Sequence, residues 1–291
     1  MEVSERFTRF LANLNLTPEQ RADGITKHSG VRQCLNARYY GSASLANSFL
    51  VGSWGKSTEI RPPRDIDVMY VLPYEVYQRF ESRPGNKQSQ LLQEVKGVLE
   101  GTYSTTGMRG DGQVVLVGFT SYSVEVVPAF KLKNGKYWIC NTNDGGSYKQ
   151  VDPDAEALAV KTSNDITLGN TRDLIRMMKC WQTFCSVPLK SFIIELLSIE
   201  FLNSWQYKGK SSVYYDWMVR EFLGALVAKH SYSTVVVPGT LEIIVLGDAW
   251  KSKADTAWER AKKACQFEAA HQASLAGTEW QKIFGTDIPT G

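Results

Sequence analysis

The segment 49–73, FLVGSWGKSTEIRPPRDIDVMYVLP, constrains the fold most, because acidic and apolar residues alternate in it just before an apolar run. Asp65 and Asp67 are separated by Ile66, and Val68 follows. Successive side chains of a β-strand point to opposite faces, so the two carboxylates share one face and the two aliphatic side chains share the other. The pattern predicts a strand that is buried on one face and carries an acid pair on the other.

The same segment contains Gly55-Lys56-Ser57, which invites comparison with a P-loop. A P-loop has the pattern G-x-x-x-x-G-K-[ST]. Its first glycine would fall at position 50, which is Leu50, and Gly52 is too close. The spacing therefore excludes a P-loop. Gly52 and Ser53 remain as candidates for phosphate contact, because glycine lets backbone N–H groups approach a phosphate and the hydroxyl adds a donor.

The acid pair is typical of a site for hard divalent cations. Two carboxylates on one strand face can share Mg²⁺, which prefers oxygen ligands together with substrate phosphates. A third acid, Glu125, alternates with apolar residues in YSVEVVPAF and is costly to bury unless it is paired or binds metal. Asp65, Asp67 and Glu125 are thus candidate ligands of two Mg²⁺ ions, with Mn²⁺ as a substitute, for nucleotidyl transfer. The alternative for each acid is a solvated surface carboxylate.

Composition narrows the class of protein. The 291 residues are 43% hydrophobic and 22% charged, enough to form a globular fold with a buried core. The net charge of +3 falls short of the dense basic face of a duplex-binding protein. Five cysteines without a CxxC pair and three scattered histidines indicate neither a zinc site nor a disulfide framework. Without a signal peptide or an apolar run long enough to span a membrane, we expect a cytoplasmic protein.

Periodicity separates a mixed first half from a helical second half. Helices are expected over 4–14, from Thr17-Pro18-Glu19-Gln20 (a capping box) to about Tyr40, and over 74–82 and 88–101. Strands are expected in SFLV, DIDVMYVL, QVVLVGF, YSVEVVPAF and KYWIC, and NDGGSYKQVDPD is expected to be a loop. Later helices are expected over 174–184 and 191–205, in WMVREFLGALVAKH, and in one closing helix, ADTAWERAKKACQFEAAHQASLAGTEWQKIFG. The prediction is an α+β fold: a core with a mixed sheet over 1–160 and a helical domain over 161–291.

These motifs resemble a known family. GSWGKSTEIRPPRDIDVMYVL and VEVVPAF are similar to the motifs of polymerase-β-type nucleotidyltransferases, and most of all to those of bacterial CD-NTases, the relatives of cyclic GMP–AMP synthase and oligoadenylate synthetase. LIRMMKCWQ and SFIIELLSIEFL resemble the paired helices behind the nucleotide, and AWERAKKACQFEAAHQASLAGTEWQKIFGTDIP resembles the closing helix and tail. The resemblance implies a polymerase-β-like core and a helical domain that completes the nucleotide pocket.

The resemblance also implies roles for single residues. It implies metal binding and catalysis by three acids and triphosphate contacts from a Gly-Ser pair: Asp65, Asp67, Glu125, Gly52 and Ser53. The third acid departs from the family, since many members carry Asp there. Glu125 is one methylene longer, so the metal geometry is expected to differ while ligation is retained.

Three residues of the helical half belong to the implied nucleotide site. Lys179 and Ser191 are expected to contact phosphates, and Phe192 is expected to stack on a base, which requires only a ring face. Relatives often carry Tyr at this last position. Each residue has a structural alternative: Lys179 as a surface lysine lying along apolar side chains, Ser191 as a helix cap, and Phe192 as a core residue.

The implied activity is template-independent synthesis of a cyclic di- or trinucleotide second messenger from ATP or other NTPs, in CBASS anti-phage defence. The implied partners are the NTPs and a downstream nucleotide-gated effector. The sequence lacks the Cys/His insertion of the animal DNA sensor, so no nucleic-acid activator is expected. Gly291 ends a tail, GTDIPTG, that is expected to be mobile. Such an end suits conjugation by a CBASS accessory protein, and an ordinary tail is the alternative.

Two other functions remain open from the residues alone. An RNA-tailing nucleotidyltransferase would require a primer strand and a basic groove. A catalytically weak module that binds nucleotides or a partner would not require its acids.

Overall fold

The computed structural model describes residues 1–42 and 46–291. The chain divides into two compact units. The sheet unit comprises Leu16–Ser57 and Pro63–Ala157, and the helical unit comprises Met1–Asn15, Thr58–Pro62 and Leu158–Gly291. The predicted α+β class is confirmed. The first helix and a short segment after residue 57 lie in the helical unit, although we expected both to lie in the 1–160 core.

The elements are numbered in chain order. The helices are α1 (Val3–Leu14), α2 (Pro18–Tyr39), α3 (Gly52–Lys56), α4 (Tyr74–Glu81), α5 (Lys87–Thr102), α6 (Pro153–Ile166), α7 (Asn170–Phe184), α8 (Ser191–Ser204), α9 (Tyr215–Val227), α10 (Lys251–Ala269) and α11 (Ala273–Phe284). The strands are β1 (Ser48–Leu50), β2 (Asp65–Val71), β3 (Gly107–Asp111), β4 (Val114–Gly118), β5 (Ser123–Lys131), β6 (Tyr137–Asn141), β7 (Ser147–Val151), β8 (Thr234–Val236) and β9 (Ile243–Val245).

The sheet unit contains a mixed seven-stranded sheet in the order β1-β2-β5-β4-β3. The second half of β5 also pairs with β6, which in turn pairs with β7. The pairing of β2 with β5 is parallel, and the other strand pairs of this sheet are antiparallel. The long strand β5 therefore lies beside β2 over the whole length of the acid-bearing strand.

One face of this sheet is covered by α2 and α5. Ile66, Val68 and Tyr70 of β2 are fully buried in one apolar cluster with side chains of these two helices. The phenol of Tyr70 donates to Asn36 Oδ1 at 2.8 Å. Burial raises the pKa of this phenol well above its ordinary value, so the hydroxyl keeps its proton and remains a donor. These contacts bury one face of β2. Asp65 and Asp67 lie on the other face, where Met69 further along the strand packs in a second apolar cluster.

The start of α2 follows the local sequence. Thr17 Oγ1 accepts from the backbone N–H of Gln20 at 3.2 Å, and the Gln20 side chain accepts from the backbone N–H of Thr17 at 3.0 Å. The capping box is thereby confirmed, with proline at the first helical position.

The helical unit has its own apolar core, formed by α1, α7, α8, α9, α10 and α11. The helix α1 lies in this unit because its apolar face is buried there. Phe7, Phe10 and Leu14 are fully buried, and the Phe7 ring packs edge-on against Trp280 with the ring centroids 5.3 Å apart. The amphipathic pattern of α1 predicted this face correctly, but it did not identify the surface that covers it.

Two sequence-based expectations about elements are wrong, and one pair of strands was missed. The closing helix is interrupted: α10 ends at Ala269, and His271 has a left-handed backbone with φ of 58°. The expected loop NDGGSYKQVDPD contains β7, which pairs with β6. The hairpin of β8 and β9 was missed, although its Val- and Ile-rich runs flank a Pro-Gly turn, a recognisable signal.

Candidate active site

Three carboxylates meet on one face of the seven-stranded sheet. Asp65 and Asp67 project from β2, and Glu125 projects from β5, where it lies directly beside Asp67 in the parallel register. One oxygen of each carboxylate lies within 4.8 Å of the others, and all three residues are half-buried. The structure thus brings together the three acids that the alternation of residues singled out.

The donor set fits a hard divalent cation. Octahedral Mg²⁺ holds its oxygen ligands at 2.0–2.1 Å, so opposite ligands lie roughly 4.2 Å apart and adjacent ligands roughly 2.9 Å apart. Carboxylate oxygens within 4.8 Å of one another can converge on one such ion with side-chain shifts on the order of an ångström. Three neighbouring carboxylates also repel one another, and a cation relieves that repulsion. Asp65, Asp67 and Glu125 are therefore the residues that could hold Mg²⁺.

Gly52 adjoins this acid cluster. Its φ of 55° is left-handed, and a Cβ atom at this position would overlap Asp67 Oδ2. The carbonyl of Asp67 also accepts from the backbone N–H of Val51 at 2.9 Å. The backbone around Gly52 therefore lies against the carboxylate, which only glycine permits. Ser53 follows in α3 and is half-buried.

The Gly55-Lys56-Ser57 tripeptide has structural roles instead of forming a P-loop. A Cβ at Gly55 would lie 2.6 Å from the carbonyl oxygen of Leu50. Lys56 is buried, and its Nζ forms an ion pair with Glu156 Oε2 at 3.1 Å. Ser57 has a left-handed backbone, with φ of 57°, where α3 ends. Close packing, charge pairing and helix termination account for the three residues.

Lys179 of α7 is buried in the helical unit. Its Nζ lies 2.7 Å from Glu195 Oε1, 2.8 Å from Thr58 Oγ1 and 3.3 Å from the Thr58 carbonyl oxygen. Its predicted phosphate contact stays a prediction. The alternative of a surface lysine does not hold for this residue, since it is 6% exposed.

Ser191 and Phe192 begin α8. The residue that caps this helix is Lys190, and the Ser191 hydroxyl donates to Gln182 Oε1 at 2.9 Å. Phe192 is half-buried at the start of the helix. The alternative that Ser191 caps α8 does not hold, while the predicted phosphate and base contacts of Ser191 and Phe192 stay predictions.

The C-terminal tail is packed onto the helical unit. The expectation that the tail is mobile is therefore wrong for all but its last residues. Ile288 is fully buried. The fully buried guanidinium of Arg6 donates to the carbonyl oxygen of Pro289, and a guanidinium in such a place requires acceptors. Gly291 itself is exposed.

Among the described residues, no helix is both long and apolar enough to cross a membrane.

The chain is similar in sequence to proteins of a known family. Residues 1–164 match the model of the SMODS family, the Second Messenger Oligonucleotide or Dinucleotide Synthetase domain. The chain belongs to this family. It is a nucleotidyltransferase, and the resemblance to CD-NTases is confirmed. A "probable cyclic nucleotide synthase" of Bacillus cereus (strain VD146) is 22% identical over 270 residues, covering 82% of this chain and 81% of that protein.

Solved structures show the same fold. CdnC of E. coli MS115-1, solved with ATP, superposes with a TM-score of 0.69 at 20% identity, covering 98% of each chain. The same protein in complex with HORMA-deltaN also gives 0.69, at 18% identity and the same coverage. Vibrio cholerae DncV with the linear intermediate 5′ pppA(3′,5′)pG gives 0.67 at 15% identity, covering 83% of this chain and 68% of DncV. The predicted polymerase-β-like core is thereby confirmed.

Sequence reasoning missed the residues that support the predicted site. Thr58 and Glu195 bind Lys179, and Glu156 binds Lys56. A buried lysine signals a nearby acid, because an unpaired charge is costly to bury. That signal does not identify which acid, since Glu195 lies 16 residues from Lys179 and Glu156 lies 100 residues from Lys56.

Proposed function

We propose that this protein joins NTPs into a cyclic oligonucleotide second messenger without a template. The observation that carries the proposal is the cluster of Asp65, Asp67 and Glu125 on two parallel strands, with the Gly52 backbone against Asp67. Membership of the synthetase family supports the same reaction class.

Separate residues of the chain bind the metal ions, accept the proton and bind the triphosphate in nucleotidyl transfer. Asp65, Asp67 and Glu125 hold two Mg²⁺ ions, or Mn²⁺ in their place. When bound, these ions supply activation of the attacking ribose hydroxyl and neutralisation of the leaving pyrophosphate. A carboxylate of the cluster accepts the proton of that hydroxyl as general base. Gly52 and Ser53 bind the triphosphate and hold it for in-line attack.

The assigned nucleotide contacts of the helical unit belong to the same proposal. Lys179 and Ser191 contact phosphates, and Phe192 stacks on a base. ATP is the first substrate to test, since CdnC, a protein of the same fold, was solved with ATP.

The biological setting is also proposed. A cyclic product made in CBASS defence would act on a nucleotide-gated effector. An accessory protein acting on Gly291 fits the exposure of that residue, and CdnC was solved in complex with a partner. Because the chain before Gly291 is packed, such a partner must first release the tail. Deletion of Pro289 to Gly291 should abolish any covalent adduct of the protein in cells.

Incubation with the four NTPs, singly and together, tests the proposed reaction. In the presence of Mg²⁺ or Mn²⁺ we expect a phosphatase-resistant product that mass spectrometry identifies as a cyclic oligonucleotide. EDTA should abolish it and added Mg²⁺ should restore it. Asp65→Asn and Asp67→Asn should each lower the yield by about 100-fold or more, because a metal ligand is lost.

Asp165→Asn is the control, since Asp165 is an exposed acid of α6 whose partner is Lys161. It should leave the yield unchanged. Product that forms only with an RNA primer would favour a tailing enzyme. Nucleotide binding without product would indicate a binding module and overturn the proposal. Wild-type yield from Asp67→Asn would overturn the proposed catalysis by the acid cluster.

A further inference from the structure

The end of the chain turns back along α11. Gly285 ends this helix with a left-handed φ of 72°. The Gln281 side chain donates to the carbonyl oxygen of Ile288 at 2.8 Å, and a Cβ atom at Gly277 would overlap the backbone of Thr290. Gln281 and Gly277 lie one turn apart on the same face of the helix. The last residues therefore run along this face towards the start of α11.

The helix α1 contacts the tail from the other side, within the same helical unit. Asn13 Nδ2 donates to the carbonyl oxygen of Asp287 at 2.8 Å, and the guanidinium of Arg6 donates to that of Pro289. Seven residues separate these two donors, about two helical turns, so they share one face of α1. Three successive carbonyls of the tail thus each accept a hydrogen bond from a helix side chain. We call this surface between α1 and α11 the tail groove.

Burial makes release of the tail unfavourable. Ile288 is fully buried in the apolar core of the helical unit. The buried guanidinium of Arg6 is also held by Glu268, at 2.8 Å, and by the carbonyl of Ala273, at 2.7 Å. If the tail left, the guanidinium would lose the acceptor on Pro289 and Ile288 would meet water. The docked tail is therefore the favoured state.

We propose that residues 287–291 form a strap, which withholds the end of the chain from enzymes that must thread an extended C-terminus into a cleft. Gly291 is exposed, but the docked residues before it leave too short an end to enter such a cleft. The contacts of Asn13, Gln281 and Arg6 then set how often the strap opens. The docking depends neither on the proposed nucleotidyl transfer nor on a partner protein.

Digestion of the full-length protein by carboxypeptidase Y, followed by mass spectrometry, measures the opening. A free peptide of residues 282–291 gives the rate of an undocked end. We expect the folded protein to lose Gly291 at least about 50-fold more slowly than the peptide, because cleavage requires local opening.

Two substitutions on the helices weaken the groove without changing the tail. Asn13→Ala and Gln281→Ala should each speed the loss of Gly291 about fivefold, since each removes one hydrogen bond, and the double variant should speed it about 25-fold. Both residues are half-buried, so we expect the fold to be kept. Thr278→Ala is the matched control, because this exposed threonine of α11 bonds only within its helix, to the Ser274 carbonyl. It should leave the rate unchanged.

Two further variants test the buried contacts. Ile288→Ala keeps the groove intact and should speed the loss of Gly291 about tenfold or more, since less apolar surface is buried by docking. Arg6→Met should act at least as strongly as either helix variant, but it also removes the bond to Glu268. Urea unfolding, measured beside the digestion, shows whether the helical unit stays folded.

Protection in the wild type that is lost in the double variant and in Ile288→Ala supports the strap, even if NTPs yield no cyclic product. Wild-type protein that loses Gly291 as fast as the free peptide would overturn it. An unchanged rate in the double variant would also overturn it. So would an equal rise in Thr278→Ala, because that result would indicate general loosening of α11.

Discussion

Gly52 shows how one absent side chain shapes the acid cluster. Its left-handed backbone disfavours other residues, and a Cβ atom there would overlap the carboxylate of Asp67. The sequence argument assigned this glycine to phosphate binding. The structure adds a second reason for glycine here, since any Cβ atom would displace the carboxylate that is proposed to hold metal.

Gly52→Ala should therefore impair the reaction more than it impairs folding. The left-handed backbone strain costs about 1–2 kcal/mol, and the overlap with Asp67 should lower kcat by about tenfold or more. Steady-state kinetics with NTPs and urea unfolding measure the two effects. Gly135→Ala is the control, because Gly135 has a φ of 85° with open space around it. Gly135→Ala should lose similar stability and keep its activity. Equal kinetic effects of the two variants would contradict this account.

At the scale of elements, the short helix α3 has a structural explanation. Gly55 lies against the Leu50 carbonyl, and the buried Lys56 pairs with Glu156. In the tripeptide that resembles a phosphate-binding motif, Gly55 thus serves close packing and Lys56 serves charge pairing, both within the sheet unit.

Lys56→Met should accordingly act on stability. It leaves Glu156 without its buried partner and should lower the free energy of unfolding by about 2–3 kcal/mol. Lys161→Met is the comparison, because Lys161 and Asp165 are both largely exposed. That change should cost less than about 1 kcal/mol. Urea denaturation measures both. A stable Lys56→Met variant with a strongly raised KM for NTP would instead indicate a phosphate-binding lysine.

Element boundaries were predictable where local chemistry decides them. The capping box of Thr17 and Gln20 placed the start of α2. The break between α10 and α11 has no glycine or proline to mark it, and Ala270, His271 and Gln272 favour continuation. The break forms because the backbone N–H of Gln272 caps α10 on the Phe267 carbonyl at 2.8 Å, and because α11 buries Trp280 in the helical core.

For the whole molecule, the buried Asp216 makes stability depend on pH. Burial raises the pKa of its carboxyl to about 6, from 3.8, and the charge of Glu268 adds to this. A hydrogen bond from the Trp217 backbone, the charge of Arg220 and the Cys265 thiol oppose the rise. The folded state therefore binds the proton more tightly than the unfolded state between about pH 4 and 6. Over that window this group's contribution to stability falls as the pH rises.

Asp216→Asn should remove this dependence. From pH 4 to pH 6, the unfolding free energy of the variant should rise relative to that of the wild type, by roughly 3 kcal/mol at most. Chemical denaturation at several pH values measures it. Asp255→Asn, at an exposed site on α10, should show no such trend. A difference for Asp216→Asn that is independent of pH would contradict the assignment.

The sequence by itself determined the parts that rest on local geometry. Alternation in β2 placed Asp65 and Asp67 opposite Ile66 and Val68, because a strand has a period of two and the apolar face must be buried. Spacing alone excluded a P-loop at Leu50.

The tertiary structure decided what depends on distant partners. The parallel register of β2 and β5 set Glu125 beside Asp67, although nearly sixty residues separate them. Thr58 and Glu195 meet at Lys179 from three separate parts of the chain. Such contacts arise from burial and pairing between elements, and no local pattern of residues encodes which distant partner a buried charge will find.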